Sequence, residues 1–334
     1  MDNVSLGVIG CGVMARDLAR RCVRLGRVRI AAVYDSDPDI AASAGVELVA
    51  EPVFDVGELC NRIDIDAVII ASPPGAHLEG VLAAAAAGKA VFCEKPLGIS
   101  VAECDRMIAA CRNAGVPLFV GHVLRLFPLF RHSIRLCRDS VIGKVRGVAI
   151  TRTGYSTEFH SGWRSGRAMA GGLLYEVHVH EFDYMRALLG RPTRVTARLD
   201  DAYRKMEYED TAYVMVEFEG GGTGLLHASN SSPIGEYNVH IHGSEGNMVH
   251  GGFGGNLRYQ TIHGVATEVS LSEIGGQNPY DRELGSWIDS LTIGLEPLFT
   301  GEDGRMAVAM AECAYRSAGS GKPVSISEVL TPSD

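Results

Sequence analysis

Over the first third of the chain, short apolar runs alternate with helix-length segments. The runs are "VSLGVIG" (4–10), "VRIAAVYD" (28–35), "DAVIIAS" (66–72), "AVFCEK" (90–95) and "VPLFVGHV" (116–123). They are apolar almost throughout rather than at every second position, the mark of strands covered on both faces. The segments between them have helical length, as in "AHLEGVLAAAAAGK" (76–89), which is rich in Ala and closed by Gly88. This alternation predicts a doubly wound parallel sheet with helices on both faces. Near residue 140 the pattern changes. "KVRGVAITRT", "RVTARLD", "TAYVMVEFEG", "GTGLLHAS" and "EYNVHIHG" alternate with period two between Gly-rich turns, as antiparallel strands do. One long helix is expected over 171–189, and 278–320 is helical again. The reading is a Rossmann-type α/β domain over 1–122, then an α+β domain over 123–334 built on a large, mostly antiparallel open sheet. A last helix, about 303–319, is placed to pack back on the first domain. No internal repeat or low-complexity tract interrupts the pattern.

Composition narrows the class of partner. The chain has 334 residues, enough for about two domains. With 31 Lys and Arg against 40 Asp and Glu, the formal charge is -9, which argues against a nucleic-acid or anionic-membrane surface. The eight cysteines contain no C-x-x-C pair and read as free thiols of a reducing compartment. No charged region followed by an apolar signal core opens the chain, and no apolar run approaches ~18 residues. The expectation is a cytoplasmic protein.

Candidate chemistry begins at "LGVIGCGVMARDLAR" (6–20). Gly10 and Gly12 fall between a strand and a helix, as in the dinucleotide fingerprint. Gly10 supplies the tight turn. Gly12 lets the backbone approach a pyrophosphate, with Val13 and Met14 opening the helix whose N-terminus attracts it. Ala15 stands where a third glycine is usual, and its methyl is small enough for helix–strand packing. Asp35 ends the second strand, where a carboxylate accepts the ribose hydroxyls. Ser36 and Asp37 follow it and no Arg does, so NAD is favoured over NADP. A strand–turn–helix with an exposed Asp is the bland alternative for this stretch.

Two further stretches, "VFCEKPLGIS" (91–100) and "GWRSGRAMAGGLLYEVHVHEFDYMRALLG" (162–190), join the glycine loop and "ASPPGAH" (71–77). Together they resemble the glucose–fructose oxidoreductase / inositol dehydrogenase / rhizopine-catabolism (Gfo/Idh/MocA) family. The resemblance extends through "HIHGSEGNM" (240–248) and "FTGEDGRMAVAM" (299–310). It implies hydride transfer between a nicotinamide cofactor and a hydroxyl or ketone of a sugar, cyclitol or related polyol. It also implies a homodimer or homotetramer formed through the C-terminal sheet. It places Ser72, Pro73, His77 and Glu94 beside the cofactor, and Lys95 of E-K-P with His180 in the catalytic group. Glu176 stands where the family has Asp, and His178 where it usually has Gly. Arg125, Trp163 and Arg164 match positions that line the substrate cleft.

The residues also read physically. On one helix, Glu176, His180 and Asp183 would share a face, with His178 roughly opposite. A carboxylate beside an imidazole fixes its tautomer and makes it a better base. Lys95, at the carboxyl end of a parallel strand, lies where doubly wound sheets bind ligands. His180 would then take the hydroxyl proton, Glu176 orient it and Lys95 polarise the oxygen. A solvated Glu–His pair is the bland alternative, and a metal at Glu176, His178 and His180 is disfavoured because they lie on opposite faces. His178 reads as a packed or substrate-lining residue. His240 and His242 share a strand face that is solvated or an interface. Two other activities fit the same resemblance: an NAD-dependent glycoside-cleaving enzyme working by transient ring oxidation, and a non-catalytic cofactor sensor.

Overall fold

The computed structural model describes residues 3–203 and 205–330. It divides into two compact units, Met1–His122 with Tyr280–Arg305, and Val123–Pro279 with Met306–Asp334.

In the first unit, strands β1 (Val4–Ile9), β2 (Val28–Tyr34), β3 (Glu51–Val53), β4 (Ala67–Ile70), β5 (Ala90–Cys93) and β6 (Leu118–Val120) form one parallel sheet. Its order is β3-β2-β1-β4-β5-β6, so the chain reverses direction across the sheet between β1 and β4. Ligands of such sheets bind beyond the carboxyl ends of the strands at that reversal. Between the strands run α1 (Val13–Arg24), α2 (Pro38–Leu48), α3 (Val56–Asn61), α4 (His77–Ala86) and α5 (Val101–Ala114). Every residue of β1, β4 and β5 is buried, as their unbroken apolar runs require. Residues Tyr280–Arg305 also belong to this unit, and their Trp287 packs against Phe92 of β5 at 5.3 Å between rings. β3, only three residues long, was not among the expected strands.

The second unit holds a nine-stranded sheet. Its strands are β7 (Val145–Tyr155), β8 (Pro192–Asp200), β9 (Thr211–Phe218), β10 (Thr223–Ser229), β11 (Ser231–Gly243), β12 (Gly246–Gly251), β13 (Gly254–Thr261), β14 (Thr267–Ser270) and β15 (Val324–Ser325). The order is β14-β13-β12-β11-β7-β10-β9-β8-β15. All pairs are antiparallel except β7 with β10. Alternation fixes the buried side: Ala212, Val214, Val216 and Phe218 of β9 face inward, while Tyr213 and Met215 face out. His240 and His242 stack 6.4 Å apart on the outward side of β11.

The helix expected over 171–189 is broken. After α6 (Pro128–Arg138), which precedes β7, and the short α7 (Arg167–Ala170), the segment forms two helices, α8 (Leu173–Glu176) and α9 (Val179–Leu189). Gly171 and Gly172 separate α7 from α8, with φ of 77° and 135°. A Cβ on Gly172 would lie 2.2 Å from the Tyr315 hydroxyl, so the backbone here admits no side chain. Glu209 accepts from the Leu173 amide and from Tyr315, and Tyr315 accepts from the Leu174 amide. These bonds satisfy the exposed start of α8. The second break, at Val177 and His178, places Glu176 and His180 on different helices. The shared face inferred from a continuous helix therefore does not apply to them.

Candidate active site

The glycine loop turns as its sequence requires. Gly10 has φ of 82°, and a Cβ there would lie 2.4 Å from the backbone nitrogen of Ser72. Only glycine meets both demands. Gly12 caps α1 without any side-chain cap, and a Cβ there would meet nothing within 4 Å. This open space in front of uncapped first-turn amides is a place for a phosphate to approach. Val13 is 88% and Met14 41% exposed beside it. Next to the loop lies a cavity lined by Gly10, Tyr34, Asp35, Ser72, Pro73 and Glu79, among others. The Ser72 hydroxyl is buried and makes no hydrogen bond within the described residues. An orphaned polar atom, an open cradle and a carboxylate at one edge fit an adenosine diphosphate moiety. The two carboxylates of the cavity, Asp35 and Glu79, suit ribose hydroxyls and repel a 2′-phosphate.

Asp35 has a second task that its position in the sequence did not disclose. Its Oδ2 accepts from the Cys11 amide at 2.7 Å and its Oδ1 from the Asp37 amide at 3.0 Å. The carboxylate thus holds the glycine loop against the end of β2 and keeps its remaining lone pairs for a ligand. Replacing Asp35 by Ala is expected to weaken NADH binding by roughly 10-fold or more, the worth of a charged hydrogen bond, and to narrow the margin over NADPH. Fluorescence titration of both nucleotides measures it. An unchanged ratio would remove Asp35 from the ribose site.

Lys95 follows β5 directly, at the same edge of the sheet as the cradle. Its amide donates to Oε2 of the buried Glu94 at 3.1 Å. His77, expected beside the cofactor, lies next to Ser72 of the cavity wall. The ring is buried at the start of α4, with Nδ1 2.9 Å from the Pro96 carbonyl and Nε2 2.9 Å from the Ser72 carbonyl. Both nitrogens face backbone oxygen, a neutral ring donates to one of them at a time, and burial pushes the imidazole pKa down.

In the second unit, the residues singled out from the sequence lie along α8, α9 and their flanks. Glu176, buried at the end of α8, accepts from Arg164 Nε at 3.2 Å. The Arg164 guanidinium also lies 4.3 Å from the Trp163 ring. Asp183 on α9 is buried and bonded to Arg125. His180 follows the first residue of α9 and is partly exposed.

His178 is 1% exposed, and its Nδ1 lies 3.0 Å from Oε2 of Glu181, which is fully buried. Glu181 also accepts from Arg152 at 2.8 Å and from the Tyr237 hydroxyl at 2.6 Å. Burial pushes the Glu181 carboxyl up, but the Arg152 charge and the His178 bond outweigh it and hold the group well below the usual carboxylate range. Burial likewise pushes His178 down against the pull of Glu181. A carboxylate–imidazole pair at this helix start is made by Glu181 and His178, which sequence reasoning missed. The i, i+3 spacing could have flagged that pair; Arg152 and Tyr237, 29 and 56 residues from Glu181, left no such signal.

Four guanidinium groups stand along this segment, and each meets a carboxylate: Arg125 with Asp183, Arg152 with Glu181, Arg164 with Glu176 and Arg167 with Glu209. Among the described residues no group of three or more His, Cys, Asp or Glu is arranged to hold a metal ion. No described helix is long and apolar enough to cross a membrane.

Comparison with known proteins agrees with this arrangement. Residues 4–122 match the family model described as "Oxidoreductase family, NAD-binding Rossmann fold", and residues 130–249 match the "GFO/IDH/MocA C-terminal domain". The chain is 28% identical to the 2,7-anhydro-N-acetylneuraminate hydratase of Mediterraneibacter gnavus, over 99% of this chain and 98% of that protein. It is 28% identical to the myo-inositol 2-dehydrogenase of Thermotoga maritima, over 97% and 99%. Among solved structures, the aldose–aldose oxidoreductase of Caulobacter crescentus superposes with a TM-score of 0.87 at 26% identity, covering 97% of this chain and 99% of that one.

Proposed function

This chain belongs to the Gfo/Idh/MocA family of NAD-binding oxidoreductases, and from that premise we propose that it interconverts a secondary hydroxyl and a ketone on an uncharged sugar or cyclitol. The observation that carries the reading is the place of Lys95, at the carboxyl edge of the sheet that also bears the dinucleotide cradle. NAD, when bound, accepts or returns the hydride. The Lys95 ammonium donates a hydrogen bond to the substrate oxygen and stabilises alkoxide charge as it develops. His180 takes the hydroxyl proton in oxidation and returns it in reduction. Glu176, bonded by Arg164, stands at the family's carboxylate position before α9.

The matched charges along α7–α9 support an uncharged substrate. Every guanidinium named there already faces a carboxylate, so an acid would meet an Asp or Glu with each Arg. Such pairs present both donors and acceptors, which suits hydroxyl groups. The inositol and aldose relatives favour the same class. An anhydrosialate, the substrate in the hydratase's name, carries a carboxylate that each of these four guanidinium groups would meet only together with its Asp or Glu.

A panel of cyclitols, aldoses, uronates and sugar phosphates, read as NADH absorbance with purified protein and NAD, tests the proposal. NADH should accumulate in step with ketone. The neutral compounds should show kcat/KM higher by roughly 10-fold or more than their acids, about 1.4 kcal/mol for the unmatched charge. Substrate consumed without NADH would point to transient oxidation instead. A preference for the acids would overturn the charge argument.

A further inference from the structure

We propose that His77 is a positioning residue that fastens Lys95 to the cofactor cradle by setting one ring between the Ser72 and Pro96 carbonyls. The inference rests on the oxidoreductase reading above, because Lys95 is its catalytic beneficiary. Strands β4 and β5 bring the two segments together, and their ladder ends where the Glu94 amide donates to the Ile70 carbonyl at 2.8 Å. Beyond that bond each chain leaves the sheet, one towards Ser72 and Pro73, the other towards Lys95 and Pro96. The His77 imidazole spans them there, with both contacts at 2.9 Å.

Each end of the bridge has a distinct consequence. Ser72 lines the cofactor cavity, and its backbone nitrogen sits against Gly10 so closely that a Cβ there would lie 2.4 Å away. Pro96 is the next residue after Lys95. Contact therefore runs from Gly10 through Ser72, the imidazole and Pro96 to Lys95, all within the first unit. The anchor is stiff: His77 begins α4, whose Val81, Ala84 and Ala85 are buried and whose Gly80 lies against Ile70 of β4. A neutral imidazole, the form that burial favours, donates from one nitrogen only, so the two tautomers bond the two carbonyls in turn. In either state the ring fills the span between them. A shift of about 1 Å at a group that polarises the reacting oxygen costs up to ~10²-fold in rate, so a fixed Lys95 matters to turnover.

Two amide variants separate the two ends. The Asn amide nitrogen reaches about as far as Nδ1, and that of Gln about as far as Nε2. His77→Asn should keep the Pro96 bond and lose the Ser72 bond; His77→Gln should do the reverse. Full-length protein is titrated with NADH by fluorescence, then assayed on the best substrate of the panel. His77→Asn is expected to keep kcat within about 3-fold and to bind NADH about 5- to 10-fold more weakly. His77→Gln is expected to bind NADH normally and to lose about 10-fold or more in kcat. If both variants shift only the melting temperature, with kcat and NADH affinity as in the parent, His77 is a packing residue and the proposal falls.

A spectrum of the unmodified protein guards against variants that do not fold. In protein labelled with ¹⁵N-histidine, the His77 ring N–H should exchange slowly and move on NADH addition. A ring unmoved by saturating NADH would overturn the proposal. If no polyol yields NADH with the parent protein, the oxidoreductase reading fails, while NADH affinity and the ring shift still decide the Ser72 end.

Discussion

His180→Ala is expected to lower the rate of hydride transfer by about 10²–10⁴, and Lys95→Ala by a similar factor, in protein that still folds and binds NADH. That range is the typical worth of a positioned general acid–base group. It corresponds to about 3–5 kcal/mol of transition-state stabilisation. The two losses have different origins. Without His180 the hydroxyl proton has no base to receive it as the hydride leaves. Without Lys95 the developing alkoxide loses its cation. Both act on one oxygen in one transition state, so the double variant should lose less than the product of the single losses. Lys95→Arg keeps the charge but changes its shape and reach, and should recover only part of the rate. The deciding measurement is single-turnover NADH formation with saturating substrate, alongside NADH titration to show an intact cradle. A His180→Ala protein that transfers hydride at the parent rate would eliminate the proposed base. Losses that multiply fully would mean that Lys95 and His180 serve separate steps.

Removing the Glu181 carboxylate is expected to be the most destabilising single change in the second unit. Glu181 is fully buried and binds His178, Arg152 and Tyr237 together. Glu181→Leu leaves the Arg152 guanidinium without its counter-charge and two further donors without an acceptor. Breaking a buried pair from one side costs about 3–5 kcal/mol. The double variant Arg152→Met, Glu181→Leu should recover much of that loss, because no uncompensated charge remains. Urea denaturation followed by circular dichroism reads both.

The pH dependence of the same network has a definite sign. The folded Glu181 pKa is held below its ordinary value of 4.5. The unfolded chain therefore binds the proton first as pH falls, and stability falls with it. The stability gap between the parent and Glu181→Gln should be constant from pH 7 to about 5. It should then shrink as pH drops below about 4.5, where the unfolded carboxylate begins to protonate. A gap that grows on acidification would contradict the structure of this network.

Much of the first unit was legible in the sequence, because its determinants are local. Continuous apolar runs need cover on both faces, so β1, β2, β4, β5 and β6 announced a parallel sheet. Gly10 and Gly12 reported a turn whose requirements are met within a few residues. Asp35 reported itself by its distance along the chain. Lys95 was visible because its place at a strand's carboxyl end is itself a local fact. In the second unit, alternation disclosed β7 to β11. The Gly-rich, weakly apolar β12–β14 region was not read strand by strand, and the parallel pairing of β7 with β10 left no local trace.

What only the tertiary structure decided concerns partners far apart in the chain. The segment 171–189 has the apolar spacing of one helix, yet it starts only after Gly172, which is pressed against Tyr315, and breaks once more at Val177 and His178. Periodicity describes which positions are apolar; it does not describe the side chains that occupy the space beside them. His77 was placed beside the cofactor because it follows Ser72 and Pro73, and only the folded chain showed its ring set between carbonyls 5 and 19 residues away. Arg125 matched a cleft-lining position in the sequence, and only the folded chain showed Asp183, 58 residues on, bonded to it. The sequence by itself determined the elements, the cradle and the chemical kinds of side chain available, because these follow from short-range sterics and hydrophobic pattern. The tertiary structure decided which charges are cancelled and which rings are held, because electrostatic and hydrogen-bond partners are set by distance in space.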